Sequence, residues 1–463
     1  MSAAPGPAAA RRAGRRRVWT FAALALLAAS QALLWWAWYG QGPKQLIGDE
    51  GAYLAAAQTI LAGGPWHAST IWPPLQPLLI AAVLALAGPH LIAVQLVQTA
   101  MLIGCAALLR SLWRGIDGRV AAANLAAALF LLNPGTAAYA HWLWPEVVHL
   151  LLILALLRLL ASDALRPARA ALAGACTGLA LLAKSLLAGF WPVLLLAFAG
   201  SGRRRARLLA AAAFVVAAGA VTAPAWIQGW RDYGKPMIAD SSVYNLWIGL
   251  TDRWRSDYVE DMGGLTLPAF MASGDTPAAR NAATWEQIHA LIAERGLVPI
   301  VLDQLGRQYF RLFNAKTPLV SQLPGPACAG HLSAYRSAPW LTATLTAANG
   351  AFHSLILAAA AFGLIAWRRR PDRIGWLLVL FAAYQLALML PLHVKARFLF
   401  PLLPLLCGLA ASWLASLMRP HAADTASGPI AFTPLRIGIG ATLAALALAL
   451  AWLGPVLDGT CPP

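Results

Sequence analysis

The sequence predicts an all-α, polytopic membrane protein of about eleven spans, with interfacial helices and a small subdomain on its outer face. Three observations predict it. Of 463 residues, 60% are hydrophobic and 11% charged, with a mean hydropathy of +0.63, whereas a soluble domain carries about a quarter charged residues. Apolar runs of about 20 residues recur along the chain, the length a helix needs to cross a bilayer. Basic residues collect in short clusters between those runs, as the positive-inside rule expects of cytoplasmic loops. That clustering accounts for much of the formal net charge of +17 and makes it a topology signal, not a nucleic-acid footprint. Five cysteines are too few for a disulfide framework and show no metal-ligand spacing.

Residues 1–17 read as a disordered basic tail, and Arg11 to Arg17 place it in the cytoplasm. The apolar run Val18 to Trp38 is too long for a signal-peptide core and ends in an aromatic belt, Trp35, Trp36, Trp38 and Tyr39. It reads as an uncleaved first span, delivering a first outer loop over 39–89. Within that loop the run 73–88 is short for a span, and counting it as one would put Arg110, Arg114 and Arg119 outside. It is therefore expected to lie at the interface. Spans over about 90–111 and 120–138 follow, then a tight outer turn at 138–150 and a return to Arg158, Arg166 and Arg169. Residues 170–200 read as two short helices broken near Gly189 and Pro192, and a further span over about 208–227 completes a transmembrane module, 18–227.

Residues 228–340 form the one long polar stretch, an outer loop or subdomain. In it, Thr276-Pro277 should start a helix and Gly296 end it. Residues 298–313 should form an amphipathic helix, with Val298, Val301, Leu302, Leu305, Tyr309 and Leu312 on one face. The C-terminal module, 341–463, holds spans over about 341–366 and 374–391, a span that returns to Arg419, and one over about 434–453, and leaves the C-terminus outside. Cys328 and Cys461 fall on the outer side, where an oxidising compartment would let them pair.

The stretch LIGDEGAYLAAAQTILAGG, 46–64, carries Asp49 and Glu50 at the start of a short surface helix that Gly63-Gly64 stops. A second acid, Glu146, follows Trp144-Pro145 on the same outer side. Each acid has a plain reading as a helix-start residue and a functional reading as an interfacial carboxylate. Lys184, Lys395 and Arg397, with His393 beside the last two, are also expected at that surface. Cations facing acids suit an anionic lipid head group; snorkelling is the plain reading for Lys395 and Arg397. Lys184 lies inside an apolar run, where snorkelling is harder. His67, His141 and His149 lie near the same surface, and no metal is assigned to them; a divalent metal is left open as a cofactor.

GDEGAYLAAAQTILAGG, then WPPLQPLLIAAVLALAG and an acid in WPEVVHL, resemble the C-type integral-membrane glycosyltransferases. These include the bacterial lipid A aminoarabinose transferases and the group related to protein O-mannosyltransferases. GLALLAKSLLAGFWPVLLL, NLWIGL at 245–250 and HVKARFLFPLLPLL extend the resemblance over roughly 18–400. It implies an inner-membrane (plasma-membrane) enzyme that moves a hexosyl or pentosyl unit from a polyprenyl-phosphate donor to a lipid, glycan or protein acceptor on the periplasmic face. It implies Asp49 as catalytic base and Glu146 as the second acid, where many members have Asp. Lys184 and Arg397 match positions that meet the donor phosphate, and Glu50, Tyr53, His393 and Lys395 join the expected substrate-binding set. Trp72 departs from relatives with a basic residue before the proline motif. The competing class is a transporter or lipid flippase with Asp49 and Glu146 relaying protons, which should show internal repeats; none is evident.

Overall fold

The computed structural model describes residues 7–39, 46, 49–162, 166–199, 203–251, 262–314, 339–367, 373–418 and 433–457. These are mostly helical, with no strand among the described residues. The helices are α1 (Pro7–Tyr39), α2 (Glu50–Leu61), α3 (Leu75–Ala87), α4 (Leu91–Asp117), α5 (Val120–Leu132), α6 (Pro134–Tyr139), α7 (Glu146–Leu160), α8 (Pro167–Ala183) and α9 (Arg204–Tyr233). They continue as α10 (Ser241–Leu250), α11 (Met262–Met271), α12 (Pro277–Arg295), α13 (Leu297–Arg307), α14 (Pro339–Ala366), α15 (Arg373–Leu388), α16 (Leu403–Leu417) and α17 (Pro434–Leu457).

Among the described residues, five segments are long and apolar enough to cross a membrane: Leu91–Asp117, Arg204–Tyr233, Ala343–Ala366, Ala396–Leu417 and Pro434–Leu453. Shorter apolar helices stand among them, Thr20–Trp36 and Val120–Leu132 included. The segment expected to stay at the interface is α3, whose 13 residues reach about 20 Å, against about 30 Å of hydrocarbon. Leu208, Val216 and Ile227 stay exposed along α9, as does Leu446 on α17; apolar outward sides of this kind suit lipid as solvent.

The apolar core runs between α4, α5, α7 and α16. A second, aromatic cluster brings together Tyr53, Trp72, Trp142, Trp144, Tyr244 and Phe270. Helices α8 and α9 make an extensive contact through Gly174 and Gly178. A Cβ at Gly174 would stand 2.1 Å from the Phe214 carbonyl oxygen, so the small-residue pair sets how closely the backbones approach.

The basic loops gather at one end of the bundle. Arg119 holds Asp117 through two hydrogen bonds of 2.6 and 2.7 Å and donates to the Ser412 carbonyl at 2.8 Å. Arg373 donates to the carbonyls of Leu160 and Ser162, and Arg158 to Ser111 Oγ at 2.7 Å. Since α7 runs from Glu146 to Leu160, and the Arg397 turn precedes α16, the two acids and their cations occupy the opposite end.

Several elements differ from expectation, each for a local reason. The tail expected to be disordered is helical from Pro7, its Ala- and Arg-rich sequence being among the better helix formers. The span over 120–138 breaks at Asn133, whose side chain accepts from the Gly135 amide and starts α6 at Pro134. The 170–200 segment is one helix to Ala183, followed by 3-10 turns at Ser185–Leu187 and Trp191–Phe198. Its break falls at Lys184, which takes an extended backbone (φ −152°, ψ 131°). The amphipathic stretch stops at Arg307 and resumes as a 3-10 turn, Tyr309–Phe313. Helix α12 has the expected ends: Thr276 accepts from the Ala279 amide at 3.1 Å, and Gly296 leaves it at φ +78°. Cys328 and Cys461 lie outside the described residues.

Candidate functional site

Four charged residues from four helix ends meet at the end of the bundle away from the basic loops. Asp49 precedes α2, Glu146 begins α7, Lys184 follows α8, and Arg397 lies in the 3-10 turn Ala396–Leu402 that leads into α16. The local electrostatics suit this placement, because helix N-termini favour the two acids and a C-terminus favours the lysine.

Arg397 Nη2 donates to Asp49 Oδ2 at 2.7 Å, and Lys184 Nζ donates to Glu146 Oε1 at 2.8 Å. Arg397 Nε faces Glu146 Oε1 at 3.8 Å, beyond hydrogen-bond reach. The guanidinium lies 4.3 Å from the centre of the Trp144 ring, and the Lys184 ammonium 5.1 Å from that of Phe398, so aromatic faces orient both cations. Glu146 is 3% exposed, and its Oε2 is buried with no hydrogen-bond partner. A buried carboxylate oxygen without a hydrogen bond is costly and is available to accept from a water or a ligand hydroxyl.

Asp49 occupies the start of α2, but its side chain makes no capping hydrogen bond. Its carboxylate turns to Arg397 and keeps 22% side-chain exposure. Burial alone would raise its pKa; the Arg397 guanidinium, Lys395 and Lys184 outweigh burial and hold it below the ordinary 3.8. Tyr53, one turn along α2, is buried with its ring 5.7 Å from Trp72. Burial, and then the Asp49 and Glu146 carboxylates, push its phenol well above the ordinary value, so it stays protonated. Trp72, the departure from the family pattern, packs here as part of the aromatic wall.

The remaining expected residues divide. Lys395 is half-buried beside the cluster and acts on Asp49 through its charge. His393 is buried; desolvation first, then Lys395, Arg397 and Arg311, hold it well below 6.5, in its neutral form. Its amide donates to the Asn245 carbonyl at 3.0 Å, joining the NLWIGL helix α10 to the cationic turn. That junction requires Gly249, where a Cβ would stand 2.3 Å from the Pro391 carbonyl oxygen. Glu50 is fully buried, and its Oε1 accepts from the Leu143 amide at 3.0 Å. Among the described residues, no group of three or more His, Cys, Asp or Glu side chains comes together as a metal site would require.

Two polar networks beside the site escaped the sequence reading. The irregular segment before Glu146 is held by glutamines. Gln98 Nε2 donates to the carbonyls of Ala140 and Trp142 at 2.9 and 2.7 Å, and Gln76 Nε2 donates to Leu143 at 3.1 Å. Buried glutamines in the apolar runs LQPLLI and VQLVQTA were the available signal. The other network is an ion pair: Arg280 Nη2 donates to Asp240 Oδ2 at 2.7 Å and to Thr70 Oγ1 at 2.9 Å. Its partners lie 40 and 210 residues apart, and no spacing rule joins them.

No protein-family model matches the chain, and no curated protein does. Solved structures similar in shape include the following. One is the archaeal oligosaccharyltransferase AglB from Archaeoglobus fulgidus, in complex with an inhibitory peptide and a dolichol-phosphate. It has a TM-score of 0.48 and 13% identity over 96% of this chain and 56% of that one. The chain thus spans little more than half the length of that protein. The others are ArnT from Cupriavidus metallidurans, bound to undecaprenyl phosphate and in the apo state. Their TM-scores are 0.37 and 0.39, with identities of 14% and 16%; they cover 92% and 95% of this chain and 88% and 78% of those.

Proposed function

We propose that this chain is a membrane glycosyltransferase that moves a sugar from a polyprenyl-phosphate donor to a hydroxyl acceptor on the outer face of the membrane. The observation that carries the reading is the meeting of Asp49, Glu146, Lys184 and Arg397 at one end of the bundle, with Glu146 Oε2 buried and unpaired.

The chemistry follows from the parts. The acceptor oxygen attacks the anomeric carbon, the bond from that carbon to the phosphate oxygen breaks, and the lipid phosphate leaves as an anion. Its departure needs cations more than a general acid, and Arg397 and Lys184 supply them. The acceptor hydroxyl gives its proton to Asp49, which is ionised and reachable. A single displacement inverts the anomeric centre. Glu146, held by Lys184, orients the sugar or the acceptor through its second oxygen. In the donor-free arrangement Arg397 is drawn to Asp49; a donor phosphate competes for it and leaves the carboxylate more basic.

By the positive-inside rule we read the basic end of the bundle as cytoplasmic, with the N-terminus inside, the C-terminus outside and the acid end on the periplasmic side of an inner membrane. A Gly115→Cys variant, at an exposed position of the same basic end, is therefore expected to label only from the cytoplasmic side; labelling from outside would invert the assignment. The test of function is transfer by the purified protein from synthetic polyprenyl-phosphate hexoses and pentoses to envelope lipid or glycan acceptors, read as release of polyprenyl phosphate. Movement of the donor lipid across vesicles without a glycosidic product would contradict the reading and favour a flippase.

A further inference from the structure

Asp49 and Glu50 are neighbours, yet they face different surroundings. Asp49 meets the cations and stays partly exposed. Glu50 is fully buried, and its Oε1 accepts the amide of Leu143, three residues before Glu146. The segment 140–143 is irregular backbone inside a helical bundle, where each polar group needs a protein partner. Its carbonyls at Ala140, Trp142 and Leu143 take theirs from Gln98 and Gln76, and Gln76 Nε2 also donates to Gln98 Oε1 at 3.1 Å. Glu50 therefore links the helix that starts at Asp49 to the loop that sets the start of α7.

We infer that Glu50 is a positioning residue: it fixes the spacing between Asp49 and Glu146 by holding the Leu143 amide, and it does not contact substrate. This deepens the proposed transferase reading and rests on it. The role asks for an acceptor oxygen at that place, which an amide supplies as well as a carboxylate does. Misplacing a reacting group by about 1 Å costs on the order of 10²-fold in rate. Glu50→Ala is thus expected to lower kcat by about 10²-fold, with donor Kd and acceptor KM little changed. Glu50→Gln is expected to stay within about threefold of wild type, because it keeps the acceptor.

The experiment measures kcat, acceptor KM and polyprenyl-phosphate binding for Glu50→Ala, Glu50→Gln and Asp49→Asn side by side in detergent. Rescue by Gln, with the Ala loss confined to kcat, supports the inference. A Glu50→Gln variant that folds but is as poor as Asp49→Asn would overturn it, as would an Ala loss seen in Kd or KM. If Glu50→Ala fails to fold, Glu50→Gln alone decides. Failure of the transferase reading itself would show separately, as wild-type protein that forms no glycosidic product and releases no polyprenyl phosphate.

Discussion

Two buried ion-pair networks share one end of this molecule, and they are built to different rules. Around Asp240 and Arg280 every side chain is satisfied. Both Asp240 oxygens accept, from Arg280 and Asn281; Arg280 also reaches Thr70, and Lys235 donates to Asn281 at 2.6 Å. Around Asp49 and Glu146 the cations lie against aromatic faces, and one carboxylate oxygen and the Arg397 Nε make no hydrogen bond. A closed network fixes a structure, tying the loop before α3 to α10 and α12. An open one stores unsatisfied bonding capacity for a ligand. The titrations differ in the same sense. Burial raises the Asp240 carboxyl beyond what Arg280 pulls back, while the cations win at Asp49.

The largest expected effect is on the closed network. Arg280→Ala leaves Asp240 buried without its cation and should cost about 3–5 kcal/mol, read as a fall in the thermal unfolding midpoint in detergent. A variant as stable as wild type would mean the network is not structural. Next is the open network. Arg397→Ala should weaken polyprenyl-phosphate binding by about 10- to 10²-fold, the loss of a charged hydrogen bond, with little change in midpoint. Unchanged donor affinity would remove Arg397 from the phosphate site.

The smallest effect is in pH. Asp49 titrates below its ordinary value in the donor-free protein, so its ion pair contributes stability that is complete above the ordinary value of 3.8. That contribution is lost only as pH falls through the lowered folded value. Asp240 runs the other way: its burial penalty is absent at low pH and complete only above its raised value. The midpoint difference between wild type and Asp49→Ala should therefore stay constant from pH 7 down to about pH 4. A difference that fades between pH 7 and pH 5 would show that the cations do not hold Asp49.

Much of this was legible in the sequence, because membrane helices announce themselves by composition and the acids by their scarcity. Asp49, Glu146, Lys184 and Arg397 were singled out one at a time; what joins them is the closure of four helix ends, which no local pattern encodes. The plain reading of Asp49 as a cap rested on propensity, and here the pull of Arg397 overrides it. Glu50 could not be told from Asp49 by neighbourhood, since only the fold shows which carboxylate turns inward. Asp240 and Arg280 were invisible for a different reason. They sit in a polar stretch where charged residues are ordinary, and their meaning comes from being buried together.

The most direct test sets Asp49→Asn beside Asp240→Asn, the same chemical change in each network. Asp49→Asn should lose no more than the small contribution of its ion pair to the unfolding midpoint and still bind polyprenyl phosphate, while transfer falls by about 10²- to 10⁴-fold, the loss expected for a general base. Asp240→Asn should lower the midpoint while each folded molecule still turns over. Near wild-type transfer by Asp49→Asn would contradict the account, since Asn starts a helix as well as Asp does and would leave Asp49 with no role beyond α2.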